Sequence, residues 1–203
     1  MYRIIFATGN AGKMKEIREI LSDLGAEILS MKEAGIRADI VEDGNTFEEN
    51  APIKAKAVAA LLPEGSNTAV LADDSGLEID YLDGEPGIYS ARYMGEDTSY
   101  RIKNANLIQR LAGVPVEKRT ARFVCAIAAA FPDGSTVIRR GVIEGKIGYE
   151  ERGENGFGYD PIFYLPDMSR TTAELSPEEK NSISHRGRAL QAVKEDLAER
   201  MKA

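Results

Sequence analysis

"IIFATGNAGKMKEI", residues 4–17, carries an apolar run directly into a loop of small residues and then into a helical pattern. Residues 2–7 predict a buried strand. From Lys13 to Leu24 the apolar residues recur at helical spacing, and Gly25 is typical of the position just past a helix end. A strand, a short loop and a helix in this order are the start of a mixed α/β fold.

The loop of residues 8–13 has features of a phosphate-binding loop. The P-loop motif itself is absent, because Gly12 and Lys13 are followed by Met14 rather than by Ser or Thr. Small residues between a strand and a helix nevertheless expose backbone N–H groups at the positive end of the helix dipole. Thr8 and Asn10 add side-chain donors, and Lys13 adds a charge. A plain connection between strand and helix is the alternative, and the loop alone leaves both open.

Composition limits the classes of protein that this chain can be. Its 203 residues, 43% hydrophobic and 29% charged, suffice for a buried core without disulfide support. The first apolar run is too short for a signal peptide, so we expect a cytoplasmic protein. The net charge of −7 argues against binding a nucleic acid polymer but not against binding a small anion. No repeat or linker interrupts the chain, so we expect a single domain over residues 1–203.

The cysteine and histidine contents restrict the metal chemistry. Cys125 is the only cysteine and His185 the only histidine, which excludes an internal disulfide and the usual zinc motifs. Any bound metal must therefore have oxygen ligands, as Mg²⁺ and Mn²⁺ do. Cys125 lies in "FVCAIAAAF" and is expected to be a buried small hydrophobe rather than a nucleophile.

The second helix poses a conflict at its start. Thr46 and Glu49 fit a capping box, but a helix beginning there would enclose Pro52, at a cost of about 3 kcal/mol. A start at Asn50 resolves the conflict, and the alanine-rich pattern then runs to about Leu62.

The remaining elements follow from periodicity and turn signals. Residues 69–72 predict a strand, 73–76 an acidic turn and 77–81 a second strand. Residues 98–113 predict a helix. Further strands are expected at 121–131, at 135–147 with a break near Gly141, and at 161–165. Ser176 and Pro177 indicate a capped helix start, and a last helix is expected from Ser184 or His185 to Lys202.

The adjacent carboxylates Asp73 and Asp74 follow an apolar strand. Ligand crevices of α/β sheets open at such strand ends, and two adjacent aspartates repel each other unless a cation lies beside them. A divalent metal would explain the pair, although Asp, Ser and Gly also form ordinary acidic turns. Glu42 and Asp43, in the loop before the second helix, are either a further source of oxygen ligands or solvated loop residues.

The stretch "GENGFGYDPIF", residues 153–163, places aromatic residues among glycines. Phe157 and Tyr159 could form a platform on which a flat ring stacks, with Asp160 accepting hydrogen bonds. A hairpin with buried aromatic plugs is the alternative, and the sequence favours it.

The stretch "EEKNSISHRGRAL", residues 178–190, concentrates cations in an acidic chain. Lys180, His185, Arg186 and Arg188 suit either an ordinary helix face or the recognition of a polar base edge or a phosphate. Together, the phosphate loop, the acidic pair, the aromatic loop and this cationic stretch form the parts of a Mg²⁺-dependent enzyme acting on a nucleoside triphosphate.

Six motifs in order carry a resemblance to a known family. "TGNAGK", "FEENAPIKA", "ADDSG", "PGIYSARY", "FGYDP" and "EEKNSISHRGRAL", spread over residues 8–190, resemble the inosine/xanthosine triphosphate pyrophosphatase family. The resemblance implies hydrolysis of dITP, ITP and XTP to the monophosphate and pyrophosphate, which removes non-standard purine nucleotides from the pool. It also implies an elongated mixed α/β fold of two lobes around a central cleft, a Mg²⁺ requirement that Mn²⁺ could replace, and a homodimer.

The resemblance also assigns residue roles. Asp74 would be the catalytic base and a metal ligand, with Glu42 and Asp73 as further ligands. The triphosphate would contact Thr8, Gly9, Asn10, Ala11, Gly12, Lys13 and Lys54. The rest of the substrate, with its base, would contact Ser75, Phe157, Gly158, Tyr159, Asp160, Lys180, His185 and Arg186.

Arg186 offers a partial account of selectivity. Its guanidinium has donors only, so it can pair with the 6-oxo group of hypoxanthine or xanthine but not with the 6-amino group of adenine. Guanine also has a 6-oxo group, and the sequence does not explain its rejection. Two other hypotheses stay open: a pyrophosphatase for ordinary or modified pyrimidine triphosphates, and a nucleotide sensor without catalysis.

Overall fold

The structure, a computed structural model, describes residues 2–201 and shows a mixed α/β protein, as the sequence predicts. The α-helices are α1 (Ala11–Ile20), α2 (Phe47–Ala59), α3 (Tyr100–Arg110), α4 (Pro177–Ile183) and α5 (His185–Arg200). The strands are β1 (Arg3–Phe6), β2 (Glu27–Ser30), β3 (Thr68–Ile79), β4 (Thr120–Ala130), β5 (Thr136–Ile147), β6 (Phe163–Leu165) and β7 (Arg170–Thr171).

The strands form one seven-stranded mixed sheet in the order β2-β1-β3-β4-β5-β6-β7. β1 runs parallel to both neighbours, with Ile4 opposite Ile28 on β2 and Ala69 on β3. α1 provides the crossover from β1 to β2, as parallel strands require. At the other end of the sheet, β6 pairs antiparallel with β5 and β7. Along the chain, the carboxyl end of β1 leads directly into the loop before α1.

The chain forms two compact units, each with its own core. Within the described residues the first unit covers 2–74, 125–141 and 186–201, and the second covers 75–124 and 142–185. Residues of β1, α1, β4 and α5 fill the first core. Residues of β3, α3, β4, β5 and β6 fill the second. β3, β4 and β5 contribute to both units, and the expectation of a single domain stays a prediction.

The acidic turn predicted at residues 73–76 is wrong. β3 continues without interruption from Thr68 to Ile79, so Asp73 and Asp74 lie in the middle of a strand. Both are buried, with exposures of 1% and 7%. Turn propensity is overridden here because the carboxylates find cationic partners on neighbouring elements. Successive strand residues point to opposite faces of a sheet, so the two aspartates have different surroundings.

The predicted start of α2 at Asn50 is also wrong. The helix begins at Phe47, the Thr46 side chain caps it by accepting the Glu49 N–H at 3.1 Å, and Pro52 lies inside it. The Glu49 carboxylate accepts the N–H of Asn45 at 2.6 Å, which completes the cap one residue earlier than in a standard capping box. The cap and the burial of Phe47 and Asn50 offset the hydrogen bond that Pro52 cannot donate.

Other boundaries differ less. β5 runs through Gly141 without the expected break, and the short strands β2 and β7 were not predicted. α4 has the predicted serine cap, first-turn proline and glutamate in a complete capping box. α5 begins at His185 as predicted, whereas its predicted end at Lys202 lies outside the described residues. Between residues 2 and 201, no helix combines the length and apolar character needed to cross a bilayer.

Candidate active site

The loop after β1 shapes the amino-terminal end of α1. Asn10 is the N-cap, and its Oδ1 accepts the Lys13 N–H at 3.1 Å. Thr8 Oγ1 accepts the Asn10 N–H at 3.2 Å. Both polar side chains therefore use their oxygens to form the loop, where the sequence suggested only donors. A Cβ added to Gly9 would meet no protein atom within 4 Å, so space is open beside the loop. The helix terminus with its exposed N–H groups suits an anion.

Asp73 lies between two cations of the first unit. Lys13 Nζ is 2.9 Å from Asp73 Oδ2, and an Arg186 guanidinium nitrogen is 3.3 Å from the same oxygen. Burial opposes ionisation of Asp73, but the charges of Lys13 and Arg186 outweigh it and lower the pKa of this carboxyl well below its usual range. Asp73 is thus ionised and neutralised by protein cations. This favours a role in holding Lys13 and Arg186 over the predicted role of metal ligand.

Asp74 has a separate environment in the same unit. Lys54 Nζ on α2 lies 3.7 Å from Asp74 Oδ1 and 3.3 Å from Glu42 Oε2, so two carboxylates share one ammonium group. The Asn50 side chain, which sequence reasoning missed, acts on Asp74 in the direction that lowers the pKa of its carboxyl. Burial raises the pKa of Asp74, with the Lys54 charge acting against the shift. Asp74 Oδ2 is buried and has no hydrogen-bond partner.

The environment of Asp74 fits a hard cation with oxygen ligands. Between residues 2 and 201 no group of three or more His, Cys, Asp or Glu side chains is gathered to hold a metal ion. Glu42 and Asp74 nevertheless form a pair, and the buried, unpartnered Oδ2 of Asp74 is an oxygen that a cation would satisfy. Carboxylate oxygens are the ligands that Mg²⁺ and Mn²⁺ prefer. These two residues could therefore hold part of a metal's coordination shell.

Arg186, predicted to contact the base, is buried in the first unit. Its side chain is 2% exposed and pairs with Glu16 on α1 at 2.5 Å as well as with Asp73. The guanidinium is thus engaged by two carboxylates of the first unit. Glu16 was not singled out from the sequence. The sequence did contain a signal for Glu16, because a charged residue stands between Met14 and Ile17, two apolar residues of α1 that are buried.

In the second unit Asp160 organises the loop that contains the glycines. It accepts hydrogen bonds from the Phe157 N–H at 2.9 Å, the Thr172 hydroxyl at 2.8 Å and Lys180 Nζ at 2.6 Å. Lys180 Nζ also lies 4.9 Å from the centre of the Phe157 ring. A Cβ on Gly156 would come within 2.1 Å of an Asp160 oxygen, so only glycine fits there. Asp160 thus accepts hydrogen bonds from three protein groups that shape the loop, and its predicted contact with the substrate stays a prediction.

Tyr159 belongs to the core rather than to a stacking surface. It is 4% exposed, and its hydroxyl donates to the Ser90 carbonyl at 2.6 Å. Its ring packs edge-on against Tyr100, with centroids 5.1 Å apart. Burial raises the pKa of Tyr159 above its ordinary value. The aromatic-plug alternative therefore holds for Tyr159, while Phe157 is half-buried at the surface.

The other predicted residues are distributed between the units. His185, 6% exposed, stacks on Phe123 in the second unit with centroids 4.8 Å apart. Ser75 is half-buried on β3, and the Gly158 carbonyl accepts a hydrogen bond from Asn104 at 3.2 Å. Cys125 is buried as predicted, and burial raises the pKa of its thiol to about 12, which makes it unreactive.

The structure thus contains three groups of charged side chains, two in the first unit and one, formed by Asp160 and Lys180, in the second. Lys13 and Arg186 meet at Asp73, and Glu42 and Asp74 meet at Lys54. The fold and these groups define a mixed α/β protein with buried charged groups at and near the amino-terminal turns of α1. The Ham1 family model matches residues 4–196, and the chain belongs to the Ham1 family.

Relatives and solved structures agree with this membership. A protein of Exiguobacterium sibiricum named dITP/XTP pyrophosphatase is 50% identical over 195 residues, which cover 96% of each chain. A protein of the same name from Bacillus subtilis is 49% identical over 193 residues, covering 95% of this chain and 96% of its own. The Ham1 protein structure from Coxiella burnetii has a TM-score of 0.84 at 42% identity, covering 98% of this chain and 100% of its own. The Ham1 structure from Staphylococcus aureus has a TM-score of 0.82 at 42% identity, covering 96% and 97%.

Proposed function

We propose that this protein is a nucleoside-triphosphate pyrophosphatase that converts dITP, ITP and XTP to the monophosphate and pyrophosphate. The observation that carries the proposal is the Asp74 group: a desolvated carboxylate with one unpartnered oxygen, paired with Glu42 through Lys54. It occurs in a chain about half identical, over nearly its whole length, to proteins named dITP/XTP pyrophosphatase. Removal of non-standard purine nucleotides from the pool is the role that this activity would serve.

The triphosphate would bind at the start of α1. The backbone N–H groups of the loop and the Lys13 ammonium offer donors and positive charge to phosphate oxygens. The open space beside Gly9 leaves room for a phosphate group to approach the backbone. Lys54, which is 13% exposed at its side chain, would add a second cation for the phosphates.

Asp74 would act as the general base. A carboxylate whose pKa is raised by burial accepts a proton from water more readily than an ordinary one. We propose that Asp74 and Glu42 also hold Mg²⁺, which Mn²⁺ could replace. When bound, such an ion neutralises charge on the phosphate oxygens. Lys54 would orient both carboxylates, since its ammonium lies between them.

The purine would be recognised by residues of the second unit. Phe157 offers a half-buried ring for stacking, and Lys180, fixed by Asp160, offers a donor beside that ring. Ser75, Gly158 and His185 stay predicted substrate contacts. Tyr159 would contribute by packing, because its ring is buried and its hydroxyl is bound to Ser90.

We further propose that the enzyme is a cytoplasmic homodimer forming a single functional domain, with small nucleotides as its partners and neither a nucleic acid polymer nor a membrane. These statements rest on the resemblance and on the charge of the chain. Light scattering at micromolar concentration tests the dimer, and a monomer there would contradict it.

The activity is tested by incubating the protein with Mg²⁺ and, separately, ITP, XTP, dITP, GTP and ATP. Pyrophosphate and orthophosphate are measured for each, with EDTA replacing Mg²⁺ in a parallel series and Mn²⁺ in another. We expect pyrophosphate from the first three nucleotides and none with EDTA. Orthophosphate as the product, or equal turnover of GTP and ATP, would contradict the proposed specificity. Activity in EDTA would contradict the metal requirement.

A further inference from the structure

Four charged side chains of the first unit form a ring, which the backbone of α1 closes between Lys13 and Glu16. Lys13 and Glu16 lie one turn apart on α1. Glu16 Oε2 is 2.5 Å from Arg186, Arg186 is 3.3 Å from Asp73, and Asp73 is 2.9 Å from Lys13. The ring therefore joins α1 to β3 and α5, and two positive charges alternate with two negative ones.

The ring is buried, and burial makes its charges depend on one another. The side chains of Asp73 and Arg186 are 1% and 2% exposed, Glu16 is 10% exposed and Lys13 19%. Removing one member of a buried charge network leaves its partner with an uncompensated charge. Lys13 Nζ contacts both oxygens of Asp73, Oδ1 at 3.1 Å and Oδ2 at 2.9 Å, and Arg186 shares Oδ2 at 3.3 Å while its other terminal nitrogen pairs with Glu16.

We propose that Glu16 is a positioning residue that acts through Arg186 and Asp73 to fix the Lys13 ammonium at the phosphate-binding loop. Without the Glu16 charge, Arg186 would close on Asp73 and displace Lys13. The inference rests on the proposed function, because it takes Lys13 as a triphosphate contact. It gives Arg186 a role inside the first unit in addition to its predicted contact with the purine.

The variant Glu16→Gln tests the inference because it keeps the size of the side chain and removes its charge. We expect KM for ITP to rise about tenfold, within the range of coupling between members of one salt-bridge network. We expect kcat to stay within about twofold, because Asp74 and its partners lie outside the ring. The matched control is Glu33→Gln. It removes an exposed carboxylate that lies outside α1 and pairs with Arg18 of that helix.

A second readout does not depend on activity. Trace acetylation with acetic anhydride, quantified by mass spectrometry, reports how accessible and reactive each lysine amine is. Lys15, exposed on the same helix, serves as the internal reference. In Glu16→Gln we expect labelling of Lys13 to rise several-fold relative to Lys15, and in the Glu33→Gln control we expect no change.

The outcomes separate the two proposals. Unchanged KM and unchanged Lys13 labelling in a folded Glu16→Gln protein would overturn the inference, and so would a loss confined to kcat. If the wild-type protein hydrolyses no ITP, the proposed function fails, and the labelling ratio alone decides whether Glu16 positions Lys13. If Glu16→Gln does not fold, Glu16→Asp keeps the charge on a shorter side chain. The shorter side chain withdraws the carboxylate from Arg186, so a rise of KM and Lys13 labelling above the wild-type values would support the inference, and wild-type values would refute it.

Discussion

Asp74→Asn should separate activity from stability. Asp74 is 7% exposed, and together with Glu42 it places two negative charges around the single positive charge of Lys54. Asparagine has nearly the same shape and carries no charge, so the substitution leaves Lys54 paired with Glu42 alone. The base proposed for the attacking water is lost, and kcat should fall by about 10²- to 10⁴-fold, the usual contribution of a general base.

The stability of Asp74→Asn at pH 7 should be equal to or higher than that of the wild type. Because burial raises the pKa of Asp74, the folded protein binds this proton more tightly than the unfolded chain does. The contribution of Asp74 to stability is complete below the unfolded pKa, about 3.9, and is lost as the pH rises through the folded pKa. At pH 7 the ionised carboxylate therefore destabilises the fold. The neutral asparagine avoids this cost, and the Tm at pH 7 should equal or exceed that of the wild type.

The assay combines steady-state pyrophosphate release from ITP with thermal unfolding at pH 4 and pH 7. Asp39→Asn, the same chemical change at an exposed site in the loop before α2, is the matched control and should leave both quantities unchanged. A variant retaining more than about a tenth of the wild-type kcat would refute the role of Asp74 as general base. A Tm at pH 7 clearly below the wild-type value would refute the electrostatic argument.

Four further predictions follow from particular contacts. Gly9→Val should fold with an unchanged Tm, because a Cβ there meets no protein atom, but should raise KM by blocking phosphate approach; an unchanged KM would place the triphosphate elsewhere. Tyr159→Phe should lower stability by roughly 1–2 kcal/mol in urea unfolding, through loss of the buried hydrogen bond to Ser90, with kcat retained; loss of kcat at full stability would return Tyr159 to the substrate site. Thr46→Ala should cost about 1 kcal/mol in the same assay as the cap of α2 is removed, and no loss would show that the cap is dispensable. Cys125 should resist iodoacetamide in the native protein at pH 8 and react in urea, since its pKa is raised to about 12; rapid native labelling would contradict its burial.

Local signals predicted the elements that local chemistry controls. The apolar run before Thr8, the left-handed Gly25 that closes the 3₁₀ turn after α1, and the Ser176 cap followed by Pro177 were all recognisable, because each depends on residues close in sequence. The prediction failed where distant residues decide. Asp73 and its neighbours were expected to form a turn, but the structure has a continuous strand in which cations of other elements neutralise the Asp73 carboxylate.

The candidate site shows the same division. Motif order placed Lys54 and Asp74 among the site residues, and the structure brings them together with Glu42. The sequence could not show that Glu16 lies against Arg186, since 170 residues separate them and no motif contains both. It also left open whether Tyr159 stacks on a ligand or fills the core.

The sequence by itself determined the mixed α/β class, excluded the usual zinc motifs through its one cysteine and one histidine, and contained the motifs that indicate a nucleoside triphosphate enzyme. Periodicity, residue counts and short motifs are sufficient for these conclusions because each can be read without knowing which distant residues meet. Tertiary structure alone decided that Asp73 and Asp74 take different partners. Neighbouring residues of a strand face opposite sides of the sheet, so one carboxylate meets Lys13 and Arg186 while the other meets Lys54.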